Sequence, residues 1–296
     1  MIPNHRTLTF SVFITVMVAG LFSGLLFSCT STKSLSTTPQ ISDDSDFIPE
    51  DFSWQAVSAG IDRFDFENAA VPVVYHAVRI DLNNEELELT CYPDENTKIN
   101  SSGKFKGITT QDFAQKNNCL VAINASPFDG RFRNKKIIGV HSINGTELAA
   151  PVNKYAALAF SKANDTTGLH ASIIKNQTDD CAANFDFVFG GFFVVLENGE
   201  ILTYNEIYNS RSGAGISSDG KTLYLLVVEG EQPSRSTGLT YPQCAQILKA
   251  MGCTNALEFD GGGSSQLCIN GTSVLNYKAN RIQANSFGFR IKLEEK

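Results

Sequence analysis

The sequence is poor in the residues on which zinc sites, catalytic triads and nucleic-acid surfaces depend. Its 296 residues include four histidines, at positions 5, 76, 141 and 170. No C-x-x-C or H-x-x-x-H pair occurs, so neither a zinc signature nor a dithiol redox motif is spelled out. G-x-S-x-G is absent and no histidine follows Ser264, which removes the usual residue order of a serine hydrolase. Lysine and arginine number 24 against 31 acidic residues, giving a net charge of −7. Such a field does not draw phosphate backbones across a wide face, and nucleic acid is not an expected partner. A local anion pocket built from one or two arginines is still allowed, because net charge describes the long-range field and not a single site. No fixed-period repeat occurs, so the sequence does not describe an array.

What is present begins with a secretory pattern. Asn4-His5-Arg6 makes a weakly basic start, and Leu8 to Leu26 carries no charge, as in the apolar region of a signal peptide. The stretch ends "LLFSC", with Leu26, Ser28 and Cys29 placed as in a bacterial lipobox, where the cysteine thiol takes a diacylglycerol. Residues 1–28 therefore read as a lipoprotein-type signal peptide and Cys29 as the lipidation site. Residues 29–51, rich in Ser, Thr, Pro and Asp, read as a flexible tether. The expected location is extracytoplasmic, in the periplasm or at the cell surface, with the membrane as a partner through the N-terminal lipid. An uncleaved anchor is the alternative, since about 19 apolar residues approach spanning length. With Cys29 lipidated, six cysteines remain, and their spacing does not choose between structural disulfides and buried apolar side chains.

Residues 52–296 show no second linker and read as a single domain. Short runs of strand length and β-branched or aromatic content recur at 73–82, 87–92, 119–124, 155–161, 185–196, 222–230 and 285–293. Asn144-Gly145, Asn198-Gly199, Asp219-Gly220 and Asn270-Gly271 supply the turn pairs that tight hairpins require. Two helices are expected. One spans 109–118, opening on Thr109. The other spans 240–252, with Thr240 and Gln243 as a capping box, Pro242 in the first turn and Gly252 as the stop. Many hairpins with few helices point to an α+β fold with mixed, largely antiparallel sheets.

Three stretches carry chemistry. In "EFDGGGSSQL", Asp260 follows a short apolar strand, and Gly261, Gly262 and Gly263 would let a ligand approach the backbone while their amides aim at an anion. Ser264 and Ser265 add hydroxyls, and Glu258, two residues earlier on the same strand face, either sets a second carboxylate beside Asp260 or points to solvent at the strand's end. Alone, this pattern also describes a bulged glycine turn. In "NSRSGAGISSDG", Arg211 offers a guanidinium suited to gripping phosphate with two parallel bonds, or simply an exposed arginine. In "AINASPFDG", Asn124 ends a strand and Asp129 sits in the following turn. Asn124 either binds a sugar hydroxyl or acetamido group or closes a local turn.

Taken in order, "VRIDL", "AINASPFDG", "IIGVHSINGTEL", "GGFFVVLENGEI", "SRSGAGISSDGKTLYLLVVEG", "GLTYPQCAQILKAMGCTNALEFDGGGSSQL" and "RIQANSFGFRI" resemble the phosphodiester glycosidase family, over about Val73 to Lys292. Asp260 through Ser265 match the family's D-G-G-G-S-S fully. Arg211 matches the arginine before its G-x-G-I-S-S-D-G hairpin, and Asn124 the asparagine closing its A-I-N strand. Two departures stand out: Ala125, Ser126 and Pro127 replace glycines and an aromatic, and Glu258 occupies a position that is more often neutral.

The resemblance implies a hydrolase that breaks the anomeric C–O bond of a sugar 1-phosphodiester, of the N-acetylglucosamine type, with a phosphorylated glycan as partner. Asp260, Arg211 and Glu258 would be catalytic. Asn124, Asp129, Gly261, Gly262, Gly263, Ser264 and Ser265 would bind substrate. A calcium or magnesium ion bridging Asp260 and the phosphate is another source of the positive charge such chemistry needs. Two other classes stay open: a non-catalytic envelope lipoprotein that binds an anionic glycan, and a metal-dependent phosphodiesterase cutting the P–O bond. The lipobox reading makes a prediction of its own. Cys29→Ser should move the protein from the membrane fraction to the soluble fraction and abolish incorporation of labelled fatty acid, whereas unchanged fractionation contradicts lipidation.

Overall fold

The computed structural model describes residues 46–162 and 168–292. The expected signal peptide, Cys29 and the tether up to residue 45 lie outside them. The folded part begins earlier than the expected boundary at residue 52. Phe47 is 1% exposed in the apolar cluster that also holds Tyr75 and Leu226, and the carbonyl of Asp46 accepts the Asn68 amide at 2.9 Å.

Antiparallel hairpins dominate, as their turn residues require. Asn144-Gly145, Asn198-Gly199 and Asn270-Gly271 all hold positive φ at both positions. Each closes a two-residue hairpin: Ile143 pairs with Thr146, Glu197 with Glu200, and Ile269 with Thr272. At Asp219-Gly220 only the glycine is left-handed, and the Asp219 carboxylate accepts the Ser217 hydroxyl at 2.6 Å. Helix α1 (Thr110–Lys116) is capped by the Thr109 hydroxyl, which accepts from the amide of Asp112. Helix α2 (Tyr241–Ala250) carries the expected reciprocal cap between Thr240 and Gln243. Of the described residues 42% are strand and 9% helical, so this part is mostly β, more so than the α+β expectation, while the two helices and the largely antiparallel sheets are as expected.

An eight-stranded sheet runs in the order Gln55–Ser58, Ile61–Asn68, Val73–Asp81, Thr222–Val228, Arg211–Ile216, Asn255–Glu258, Val194–Glu197, Glu200–Ile201. Both of its faces are covered, because successive side chains of a strand point to opposite sides. Ala77, Leu226 and Val228 pack with Cys244, Ile247 and Leu248 of α2. Val78, Leu225 and Val227 face the other way, into a core shared with two five-stranded sheets. One of these includes Val121–Asn124 and Ser286–Ile291, the other Phe187–Gly190 and Ala157–Lys162.

At the centre of that core Phe287 stacks on Phe189 at 4.8 Å and meets Phe259 at 5.8 Å and Phe160 at 6.1 Å. The apolar run 185–196, expected as one strand, is two. Phe187–Gly190 belongs to a five-stranded sheet and Val194–Glu197 to the eight-stranded one. The break falls at Gly191, where a Cβ would lie 2.7 Å from the carbonyl oxygen of Glu258. The six cysteines from Cys91 to Cys268 are free thiols, all buried except half-buried Cys181, so here they serve as small apolar residues.

Phe287 is the keystone of the shared core. Phe287→Ala should cost about 3–5 kcal/mol of unfolding free energy, read as a lowered urea midpoint at unchanged slope. A loss within experimental error would show that the three sheets do not depend on this ring.

Candidate active site

The eight-stranded sheet delivers the site. Asn255–Glu258 pairs with Arg211–Ile216, so Glu258 stands opposite Gly213. Just beyond, the amide of Phe259 donates to Ser212 O at 2.7 Å and that of Asp260 to Ala125 O at 2.8 Å. The Asn124 amide group then ties the region together. Its nitrogen donates to Asp260 O at 2.8 Å, while its oxygen accepts from the Ser212 hydroxyl at 2.8 Å and from the Gln266 amide at 3.0 Å. Asn124 is 1% exposed, so it holds the backbone of Asp260 in place and does not present its amide to a sugar, which corrects the expected binding role.

Asp260 is half-buried. Burial raises its carboxyl pKa above the ordinary value, with the Ser264 hydroxyl and the Arg281 guanidinium partly opposing the shift. Arg281 is exposed; its Nη1 reaches the Ser264 hydroxyl at 3.4 Å. Two glutamines fix its segment to the loop after Asp260: Gln266 donates to Arg281 O at 3.1 Å and Gln283 to Ser264 O at 2.9 Å. Arg281 was not singled out from the sequence, although it opens the terminal "RIQANSFGFRI" stretch. Its partners lie well upstream in the chain, so nothing local marked it.

Arg211, the expected phosphate ligand, is already engaged. It is 8% exposed. Its Nε donates to Leu239 O at 2.9 Å and its Nη2 to Ile207 O, and its guanidinium lies 4.2 Å over the Tyr241 ring. Its charge instead bears on Glu258. That carboxyl is fully buried and neither oxygen has a hydrogen-bond partner of normal geometry, with the Cys244 thiol beside it. Burial pushes its pKa up to about 8, against the opposing pull of Arg211 and Cys244, so Glu258 is protonated at neutral pH.

Of the three glycine amides, that of Gly262 is engaged within the protein, as are those of the two serines that follow. The amides of Gly262, Ser264 and Ser265 donate to Ser210 O, Gly261 O and Gly262 O. Two of the glycines also solve a backbone problem: Gly262 has φ +58, and a Cβ on Gly261 would lie 2.9 Å from the carbonyl oxygen of Ser210. Ser265 is 1% exposed and its hydroxyl is unpartnered, so it does not face a ligand as expected. Asp129 is exposed, accepts from the Gly130 amide at 2.6 Å and bears, together with Arg281, on the charge of Lys135.

Among the described residues no three His, Cys, Asp or Glu side chains group for a metal. Asp260 is the carboxylate that would hold a calcium or magnesium ion together with substrate phosphate, with the Arg281 cation beside it.

A family model described as phosphodiester glycosidase matches residues 117–290, which include Asn124, Arg211, Glu258, Asp260 and Arg281. The chain belongs to the phosphodiester glycosidase family. The SPbeta prophage-derived uncharacterized protein YomE of Bacillus subtilis is 24% identical over 233 residues, covering 71% of this chain and 35% of that relative. The chain thus spans about a third of that relative's length. Among solved structures, a hypothetical protein from Synechocystis superposes with a TM-score of 0.61 at 14% identity, over 82% of this chain and 64% of the other. The zebrafish N-acetylglucosamine-1-phosphodiester alpha-N-acetylglucosaminidase catalytic domain, auto-inhibited by its pro-peptide, superposes with a TM-score of 0.58 at 17% identity, over 80% of this chain and 86% of that one. At such identities these likenesses show a shared fold. The family name describes glycosidase-type hydrolases of phosphodiester-linked sugars.

The buried Glu258 of this family member makes a stability prediction. Between the ordinary 4.5 and about 8 the unfolded chain has released a proton that the folded chain retains. The group's contribution therefore falls as pH rises and is lost by about pH 8. Glu258→Gln removes that slope, so denaturant titrations should show the variant gaining on the wild type from about pH 5 to 8. A constant difference across that range contradicts a buried protonated carboxyl.

Proposed function

We propose that the protein hydrolyses the anomeric C–O bond of a sugar 1-phosphodiester, of the N-acetylglucosamine type, outside the cytoplasm on a lipid anchor at Cys29. The observation that carries this reading is one half-buried carboxylate, Asp260, rigidly held beside an exposed cation, Arg281. A sugar phosphate is already a competent leaving group and needs its growing charge stabilised more than it needs protonation.

In the proposed step, water attacks the anomeric carbon as the C–O bond to phosphate breaks. The bonding electrons leave on the phosphate oxygen, and the water proton passes to the Asp260 carboxylate. In this reading Arg281, whose Nη1 reaches the Ser264 hydroxyl at 3.4 Å, meets the added negative charge on the phosphomonoester. Glu258, buried two residues before Asp260, adds no negative charge to the site while protonated; once ionised it would oppose the phosphate's departure.

The pH dependence follows from these two carboxyls. Activity should rise as Asp260 ionises, above the ordinary range of an aspartate, and fall as pH climbs through about 8 and Glu258 loses its proton. Asp260→Asn should lower kcat by about 100- to 10,000-fold. Arg281→Ala should lower it by about 100- to 1,000-fold. Arg211→Gln removes the charge that holds the Glu258 pKa down, so it should move the alkaline limb upward. Turnover of a panel of glycosyl 1-phosphodiesters checks all three. Full activity in Asp260→Asn contradicts the assignment, and binding without turnover by the wild type favours a glycan-binding lipoprotein.

A further inference from the structure

The hairpin that follows Asp129 carries a side chain the fold does not use. It joins strands Phe128–Asp129 and Asn134–Ile137, and Phe105–Lys106 pairs with the latter to complete a three-stranded sheet. In the turn, the Asn134 amide donates to Arg131 O at 3.0 Å. At the tip Phe132 is 91% exposed, and it belongs to none of the described apolar clusters. Its φ is +50. Four of the six described non-glycine residues with positive φ are asparagines, the side chain that tolerates this conformation, whereas a bulky phenylalanine there is strained. Neither core packing nor turn chemistry accounts for an aromatic ring at this position.

Cations surround it. Arg131 and Arg133 flank Phe132 in the turn, Lys106 and Lys136 lie on the adjoining strands, and all four are exposed. Among the described residues none of the four forms an ion pair. Strand alternation sorts the faces: Phe105, Lys135 and Ile137 are buried, while Lys106, Asn134 and Lys136 face out. The carboxylate on this face is Asp129, paired across the sheet with Lys136. Four exposed cations against one carboxylate leave the hairpin positive on a chain whose net charge is −7. Buried Lys135 fixes its base, with its ammonium 4.4 Å over the Phe128 ring and 3.4 Å from Gly130 O. Gly107 leaves no space for a Cβ between the Lys135 side chain and Gln283 O, so the base packs against the segment that also carries Arg281.

An exposed ring among cations suits the boundary of a bilayer, where the ring enters the acyl region and the cations meet anionic headgroups. A soluble polyanion would satisfy the cations and offer nothing to the ring. We propose that this hairpin, with Phe132 at its tip, docks the folded domain onto a bilayer surface containing anionic phospholipid. The docking depends neither on the hydrolase reading nor on a lipid at Cys29. Where that lipid is present, the hairpin sets which side of the domain meets the membrane.

The test uses the chain from residue 29 onward with Cys29→Ser, so that neither the apolar leader nor a lipid holds it to a membrane. The described core clusters are built from Phe47 onward and are retained. Co-sedimentation with vesicles of phosphatidylglycerol and phosphatidylcholine in equal parts is compared with phosphatidylcholine alone. This form should bind the anionic vesicles about tenfold or more tightly, and less so as salt rises. Replacing both arginines, Arg131→Gln with Arg133→Gln, should weaken that binding about fivefold for each cation removed. Phe132→Gly relieves the positive φ, so its urea midpoint should equal or exceed that of the parent, while its affinity for anionic vesicles falls about tenfold. Phe132→Leu should keep most of the binding. Equal affinity for the two kinds of vesicle overturns the proposal. So does a Phe132→Gly variant that binds as the parent does while the arginine pair loses binding, which would assign the face to a soluble polyanion.

Discussion

The site depends on one side-chain amide. Asn124 sits at the end of a strand in one sheet, yet its three hydrogen bonds reach the backbone of Asp260, the hydroxyl of Ser212 on the eight-stranded sheet and the amide of Gln266. A buried amide with its polar atoms satisfied is stable, while one with a missing partner costs about 1–3 kcal/mol. The three segments are therefore locked in mutual register. Two residues further on, Ser126 repeats the device. Its hydroxyl donates to Gly190 O at 2.7 Å and accepts from Asn285 at 2.8 Å, while its amide donates to the Asn285 carboxamide oxygen at 2.7 Å. That stitch draws in the remaining five-stranded sheet, through Gly190.

With the backbone fixed, electrostatics divides the labour. Arg211 satisfies two carbonyls, stacks on Tyr241 and tempers the proton affinity of a fully buried Glu258. Arg281, exposed and anchored through Gln266 and Gln283, is the cation that a ligand can reach. The segment before it is held by Glu229, which accepts the Asn276 amide at 3.1 Å and faces His76 at 3.0 Å. Both nitrogens of His76 face carboxylates, Asp65 and Glu229, and these raise its pKa against the opposing effect of burial. The charged network thus ties the Asn276 segment to the eight-stranded sheet that carries His76.

Much of this was legible in the sequence where the governing rule is local. Asn-Gly turns, Thr caps and the Pro242 helix start depend on neighbours within four residues, and the structure bears them out. The placement of Asp260 at a strand's end was legible for the same reason. What failed depended on distant partners. The run 185–196 satisfies strand composition throughout, and only contact between Gly191 and Glu258 reveals where it must break. Arg211 has the residue type and position of a phosphate ligand, but Leu239 and Ile207 claim its donors. In the glycine triplet, the Gly262 amide closes on the distant Ser210 carbonyl, a partner no local pattern names. Buried Phe47 was hidden in a segment whose average composition is that of a tether.

The account stands on attack at the sugar carbon with phosphate departing toward Arg281. Hydrolysis of a glycosyl 1-phosphodiester in water enriched in heavy oxygen, followed by mass spectrometry of both products, tests this most directly. The account predicts the label in the released sugar and none in the phosphomonoester. Label in the phosphomonoester would mean P–O cleavage and contradict the roles given to Asp260 and Arg281.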